Sequence, residues 1–394
     1  MVLAVGGLLL AILGLFAYVS FTATPLHPNA QDVPSVASAD PSKRWADAVQ
    51  EGQRLVRADL TEQNLPGLSV AVGVDGDIVW AEGFGWANLE NRTRVEPDTR
   101  FRIGGASMAL TSAAVGLLLE KDRLKLDDEI QTYVTAFPKK QWPVTLRQLM
   151  GHVAGVRNDA GDEEPLSERC ERTVDGLKRF ADSPLRFEPG TQFRYSTYGW
   201  ILVSAAVEAA ADEPFFTFMR TQIFEPLDMD DTRADVATDP IPDRATFYHP
   251  RFAADTTYGP ELAREGDYSC FAGAGGFLST PSDLVRFGMA ITNGKLLQPA
   301  TVKLLQTPPR LASGEESGYA LGWDLETVQL AGESTRMAGH DGEFVLGGST
   351  SLMTFPERGL VVAVTTNTSF ADTAAIALKI AQAFAERAGS PLRK

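Results

Sequence analysis

The sequence predicts an α+β fold: an antiparallel sheet flanked by terminal helices, with a helical lobe inserted between the two halves of the sheet. Three observations predict it. Hydrophobic periodicities run in the order helix, strands, long helical stretch, strands, helix. Adjacent strand segments are joined by short turns, which antiparallel pairs allow. The chain has 394 residues with 44% hydrophobic content, enough for one large domain with a shared core.

The elements follow in order. Residues 2–23 are an apolar run without charge, long enough to span a bilayer. No Lys or Arg precedes it, and the best small-x-small cleavage candidate, Ala37-Ser-Ala39, lies well beyond it. A single-pass membrane anchor with a periplasmic, extracytoplasmic domain is therefore expected, secretion after signal cleavage being the alternative. Residues 24–42, rich in Pro, Ala, Ser and Asp, form a linker, and the folded domain occupies 43–394. Trp45, Ala48, Val49, Leu55, Val56 and Leu60 recur at helical spacing. Leu68, Val70, Val72 and Val74 then alternate along a strand, Asp75-Gly76 makes a hairpin turn, and Ile78, Val79 and Trp80 return. Residues 105–120 read as a buried helix, followed by the helical lobe at about 121–295. The last helix of that stretch has Thr280 as cap, Pro281 in its first turn and Asp283 near its positive end. Strand character returns at 319–325, 345–355 and 360–366. In the final helix Ile376, Ala377, Ile380, Ala381 and Phe384 share one face.

Composition excludes several functions. The net charge is −15 and no Lys/Arg run occurs, so no nucleic-acid partner is expected. There is no Cys-x-x-Cys and no cluster of ligand residues at metal spacing, so neither metal nor cofactor is expected. Cys170 and Cys270 are either a bridge or two free thiols. The glycines at 273–276 lack a following Lys-Ser/Thr and read as a tight turn beside a cleft, not a phosphate loop. Of four histidines, His27 lies in the linker, His249 in a surface loop, and His152 in a turn it fixes by hydrogen bonding. His340 alone is assigned to a site.

Phe-Arg-Ile-Gly-Gly-Ala-Ser-Met at 101–108 resembles the segment Phe-Arg-Ile-Gly-Ser-x-Ser-Lys of the serine β-lactamase and penicillin-binding-protein superfamily, in its class C and esterase-like branch. The likeness continues through Leu146–Gly155, Phe187-Glu-Pro-Gly190 with Tyr195-Ser-Thr197, the Gly-Gly-Phe-Leu-Ser-Thr at 275–280, Gly322-Trp323 and Gly339-His-Asp-Gly342. It implies a β-lactamase/transpeptidase-like fold with a cleft between sheet and lobe. It also implies a catalytic role for Tyr195 and His340, with Thr197, Gly342 and Glu343 beside a bound ligand. The chemistry explains the spacing. A serine hydroxyl needs an adjacent base, and a lysine three residues on shares its helix face. The helix N-terminus offers N–H groups where an oxyanion develops.

The departures fall on the chemistry itself. Gly105 stands at the nucleophile position and Met108 at the lysine position. Ser107, the remaining candidate nucleophile, is about 200° round the helix from 105 and should point away from the cleft. Glu343 follows the His-Asp-Gly turn and should discourage anionic substrates. Three readings follow. The first is a membrane-anchored hydrolase homologue, impaired in acylation, that keeps a cleft for small-molecule, ester or peptide ligands. The second is an active acyl hydrolase using Ser107 or a water activated by Tyr195 and His340. The third is a structural or self-assembling ectodomain. Nothing in the chain specifies an oligomeric state.

Overall fold

The computed structural model describes residues 12, 14–158, 169–236 and 241–388. Its centre is an antiparallel sheet in the order β1-β3-β2-β7-β6-β5-β4. The strands are β1 (Ser35–Ala37), β2 (Gly67–Val74), β3 (Asp77–Asn88), β4 (Asp324–Leu330), β5 (Glu333–Glu343), β6 (Ser349–Phe355) and β7 (Leu360–Thr366). A two-residue strand, Thr93–Arg94, adds to β3. The first and last parts of the chain meet where β2 pairs with β7, with Val70 opposite Val364.

Why the sheet is covered on both faces follows from the alternation. Leu68, Val70, Val72 and Val74 project into one apolar layer with Val362 and Val364. Helices α1 (Ala46–Glu62) and α5 (Thr373–Ala388) close that layer through Val49, Val56, Leu60, Ile376, Ile380 and Phe384. Trp45 and Trp80 both stack on Phe384, with centroids 5.7 and 5.9 Å away. On the other face the strands carry small residues. A Cβ on Gly73 would meet Met289 and Val285 at 2.6 Å, so helix α4 (Pro281–Thr292) lies directly on the sheet. Its expected start is present: Thr280 accepts from the Asp283 N–H, and Pro281 opens the first turn. Although this helix ends the stretch read as the lobe, it packs on strands.

Helix α2 (Ser107–Glu120) runs through the interior, preceded by a 3₁₀ turn at Gly104–Ala106. Helix α3 (Thr197–Ala211) packs against it from the lobe. The lobe is less helical than its sequence suggests. It contributes Arg233–Ala234 and Phe277–Ser279 to a small sheet with Phe101–Arg102, and a hairpin of Tyr248–Pro250 with Pro260–Leu262. Cys170 and Cys270 are joined as a disulfide.

Two expectations meet the structure differently. The strand expected at 319–325 begins only at Asp324, and β5 has no counterpart among the expected strands. β5 lacks an apolar alternation because its neighbours are backbone. A Cβ on Gly342 would sit 1.8 Å from the Ile103 carbonyl oxygen, and one on Gly339 2.0 Å from that of Leu352. The membrane-anchor expectation falls largely on residues 1–11 and 13, which lie outside the described residues. Residues 14–22 are helical, and among the described residues no helix is long and apolar enough to cross a membrane.

Candidate active site

A cleft of about 780 Å³ lies between the start of α2, the lobe and the end of β5. Gly105, Tyr195, Thr197, His340, Gly342 and Glu343 all line it. Each arrives on a separately fixed element. Gly104 has φ of +49°, which lets the 3₁₀ turn bring Gly105 against β5. Tyr195 precedes the N-cap of α3, where Ser196 accepts from the Gly199 N–H at 3.1 Å. His340 and Gly342 project from one side of β5 because residues two apart share a face.

These groups converge on one point. A Cβ on Gly105 would lie 2.8 Å from Tyr195 Oη, 3.0 Å from His340 Cε1 and 3.1 Å from the Asp341 carbonyl oxygen. The space a side chain at position 105 would enter is therefore bounded by Tyr195, His340 and the backbone of β5. Tyr195 Oη donates to Met108 Sδ at 3.4 Å, and Met108 is fully buried.

His340 is held by both nitrogens. Nδ1 meets the Asp341 carbonyl, which only accepts, so Nδ1 carries the proton. Nε2 then accepts from Tyr319 Oη at 2.8 Å. The edge turned to Gly105 is thus carbon. Burial, and then the nearby Tyr195, hold the Tyr319 phenol well above its ordinary range, so it stays a donor. His152 braces the tyrosine from below. Its ring lies 4.3 Å from that of Tyr195, and its Nδ1 accepts from the Ser196 N–H at 3.0 Å. Burial, followed by the proximity of His340, pushes His152 well below the usual imidazole range, which keeps it neutral.

Ser107 requires a correction. It is fully buried, it does not line the cleft, and its hydroxyl makes no hydrogen bond. Its position two residues along the helix turns it into the core, out of reach of a ligand. Thr197 lines the cleft, its N–H donating to Asn158 Oδ1 at 3.0 Å. Glu343 accepts from Ser349 Oγ and from the Phe370 N–H, each at 2.8 Å. Desolvation by the surrounding protein raises its carboxyl to about 7. Sequence reasoning missed Tyr319 and the bracing role of His152 against Tyr195. Among the described residues no group of three or more His, Cys, Asp or Glu side chains is placed to hold a metal ion.

The sequence model of the beta-lactamase family matches residues 53–386. The chain is 29% identical to the human serine beta-lactamase-like protein LACTB, mitochondrial, over 87% of this chain and 81% of that one. It is 27% identical to penicillin-binding protein 4* of Bacillus subtilis, over 70% of this chain and 62% of that one. Among solved structures it is similar to the octameric penicillin-binding protein homologue from Pyrococcus abyssi, with TM-score 0.70, 23% identity, and 84% and 76% of the two chains covered. It is also similar to FmtA from Staphylococcus aureus, with TM-score 0.72, 17% identity and 92% of each chain covered. These structural likenesses show a shared fold.

Proposed function

The chain belongs to the beta-lactamase family, and from that premise we propose that it is a binding homologue of the serine hydrolases: its cleft takes an ester, amide or peptide ligand without forming an acyl-enzyme. One observation carries the reading. The point on which Tyr195 and His340 converge is a glycine Cα, with no atom there to attack a carbonyl. Met108 occupies the place of the base and offers only a weak acceptor. A water-activating route has no support in His340, because both of its nitrogens are engaged away from Gly105.

The domain is read as working outside the reducing cytosol, on an apolar N-terminal anchor at residues 2–23. The Cys170–Cys270 bridge supports an oxidising compartment, and the mitochondrial designation of its human relative is in keeping with it. The uncharged N-terminal run supports the anchor.

The test is intact-mass analysis of the purified protein after incubation with benzylpenicillin and with a fluorophosphonate. No covalent adduct is expected on the parent chain. An adduct mapped to any residue of the cleft would overturn the reading and restore an active hydrolase.

A further inference from the structure

The cleft is lined by carboxylates and by no Lys or Arg among the described residues, and these charges decide what sort of ligand fits. β5 pairs with β4 no further than Gly339 opposite Asp324, so residues 340–343 continue past the last pair of that ladder. Asp324, Asp341 and Glu343 line the cleft around this strand end. A fourth carboxylate, Asp372, accepts from the Ala375 N–H at 2.9 Å in the first turn of α5, so the helix N-terminus offsets its charge.

Among the described residues the other three have no Lys or Arg to balance them. Asp341 accepts from Ser351 Oγ at 2.6 Å, and Glu343 from a hydroxyl and a backbone N–H. Among the described residues none of the three is in an ion pair, and no Lys or Arg lines the cleft. The electrostatics agree. Burial, and then the charge of Asp324, raise the Asp341 carboxyl. Apolar side chains, Phe271, Phe344 and Leu346 among them, line the cleft as well. Tyr268 packs with them, its ring 4.7 Å from that of Phe344 and beneath the Arg102 guanidinium.

We propose that the cleft selects a ligand joining a protonated amine to an apolar group, such as a peptide, ester or amide with a free amino end, over one bearing a carboxylate. This rests on the reading of the cleft as a ligand site. Like charges brought together in a partly desolvated cleft repel strongly, and an ammonium group is drawn to the same place.

The experiment is calorimetric titration of the full chain at about pH 7.5, above the raised Glu343 carboxyl, with three probes of one shape: alanylphenylalaninamide, its N-acetyl derivative, and N-acetylalanylphenylalanine as the free acid. The cation should bind at least about tenfold more tightly than the neutral peptide, and the acid more weakly than either. Asp324→Asn with Asp341→Asn should remove most of the preference, the Kd of the cation rising toward that of the neutral peptide. Glu343→Gln, made separately, should reduce the preference in part. Thermal unfolding of each variant establishes that it is folded. Equal binding of cation and neutral peptide, or tighter binding of the acid, overturns the charge selection and leaves the ligand site standing. If none of the three binds, both readings fall.

Discussion

The turn at residues 104–108 and the strand end at 340–343 face each other across the space of one side chain, yet different constraints hold them. On the turn, the chemical positions are 105 and 108, and neither is needed for packing in its serine or lysine form. A Cβ at Gly105 would press hardest on the tip of Tyr195 and tightly approach His340 and the Asp341 carbonyl, and Met108 fills the interior as an apolar residue. On the strand, Gly342 lies against the Ile103 carbonyl with no room for a side chain. His340 is fixed by two hydrogen bonds. A motif residue is thus held in place by packing or by chemistry, and only the second kind reports on activity. Gly342 answers to the fold, whatever the cleft does. Tyr195 and His340 carry the more specific information.

The contrast is tested at its strongest point by repair. Gly105→Ser together with Met108→Lys should restore acyl transfer to a small activated ester, a gain on the order of 10⁴-fold, while neither single change suffices. A burst of product or a covalent mass shift in the double variant alone is the readout. A folded double variant without either would mean that the strand side has also lost its geometry.

The packing half of the contrast is read by stability. Gly342→Ala should destabilise by about 3 kcal/mol or more, because backbone must move to admit the methyl group. Gly105→Ala should change stability by no more than about 1 kcal/mol, since Tyr195 swings away. Denaturant midpoints of the two variants measure this, and equal losses would dissolve the distinction. Tyr319→Phe removes the donor to a buried imidazole nitrogen and should cost about 1–2 kcal/mol, with a shift of the His340 ring nitrogen resonances that a packing defect alone does not produce.

The smallest effect concerns pH. The Glu343 carboxyl is raised to about 7 from 4.5. The folded state therefore binds a proton that the unfolded state has released, and stability falls as pH rises between these values, then levels off. Glu343→Gln should flatten that decline. Unfolding temperatures across the interval, compared between variant and parent, would show no difference if the group titrates normally.

Much of this site was legible because motif residues are local in sequence. Gly105 with Met108, Tyr195 and His340 each sit in a short recognisable run, and of the expected site only the buried Ser107 and Met108 do not line the cleft. The outer layers were equally legible: Val49, Val56, Ile376 and Phe384 announce helices that cover a sheet. What stayed hidden depends on contacts between distant segments. Tyr319 meets His340 only through the fold, and nothing around it in the sequence marks a hydrogen-bond donor. β5 stayed hidden because its glycines pack on carbonyls, which leaves no alternation to read. Asp324 and Asp341 come together across a strand pair rather than within a motif.

The bridge between Cys170 and Cys270 has a consequence that acts before any of this geometry exists. It joins residues 100 apart, so the unfolded chain carries a closed loop containing Tyr195 and the whole of α3. Closing a loop of that length removes unfolded-chain entropy worth about 4–5 kcal/mol in the chain-entropy description. Cys270 precedes Phe271, Ala274 and Gly275, which form one wall of the cleft. The random coil thus starts with that wall and the tyrosine-bearing helix already confined to a common volume, and their search for each other is shortened by covalent chemistry.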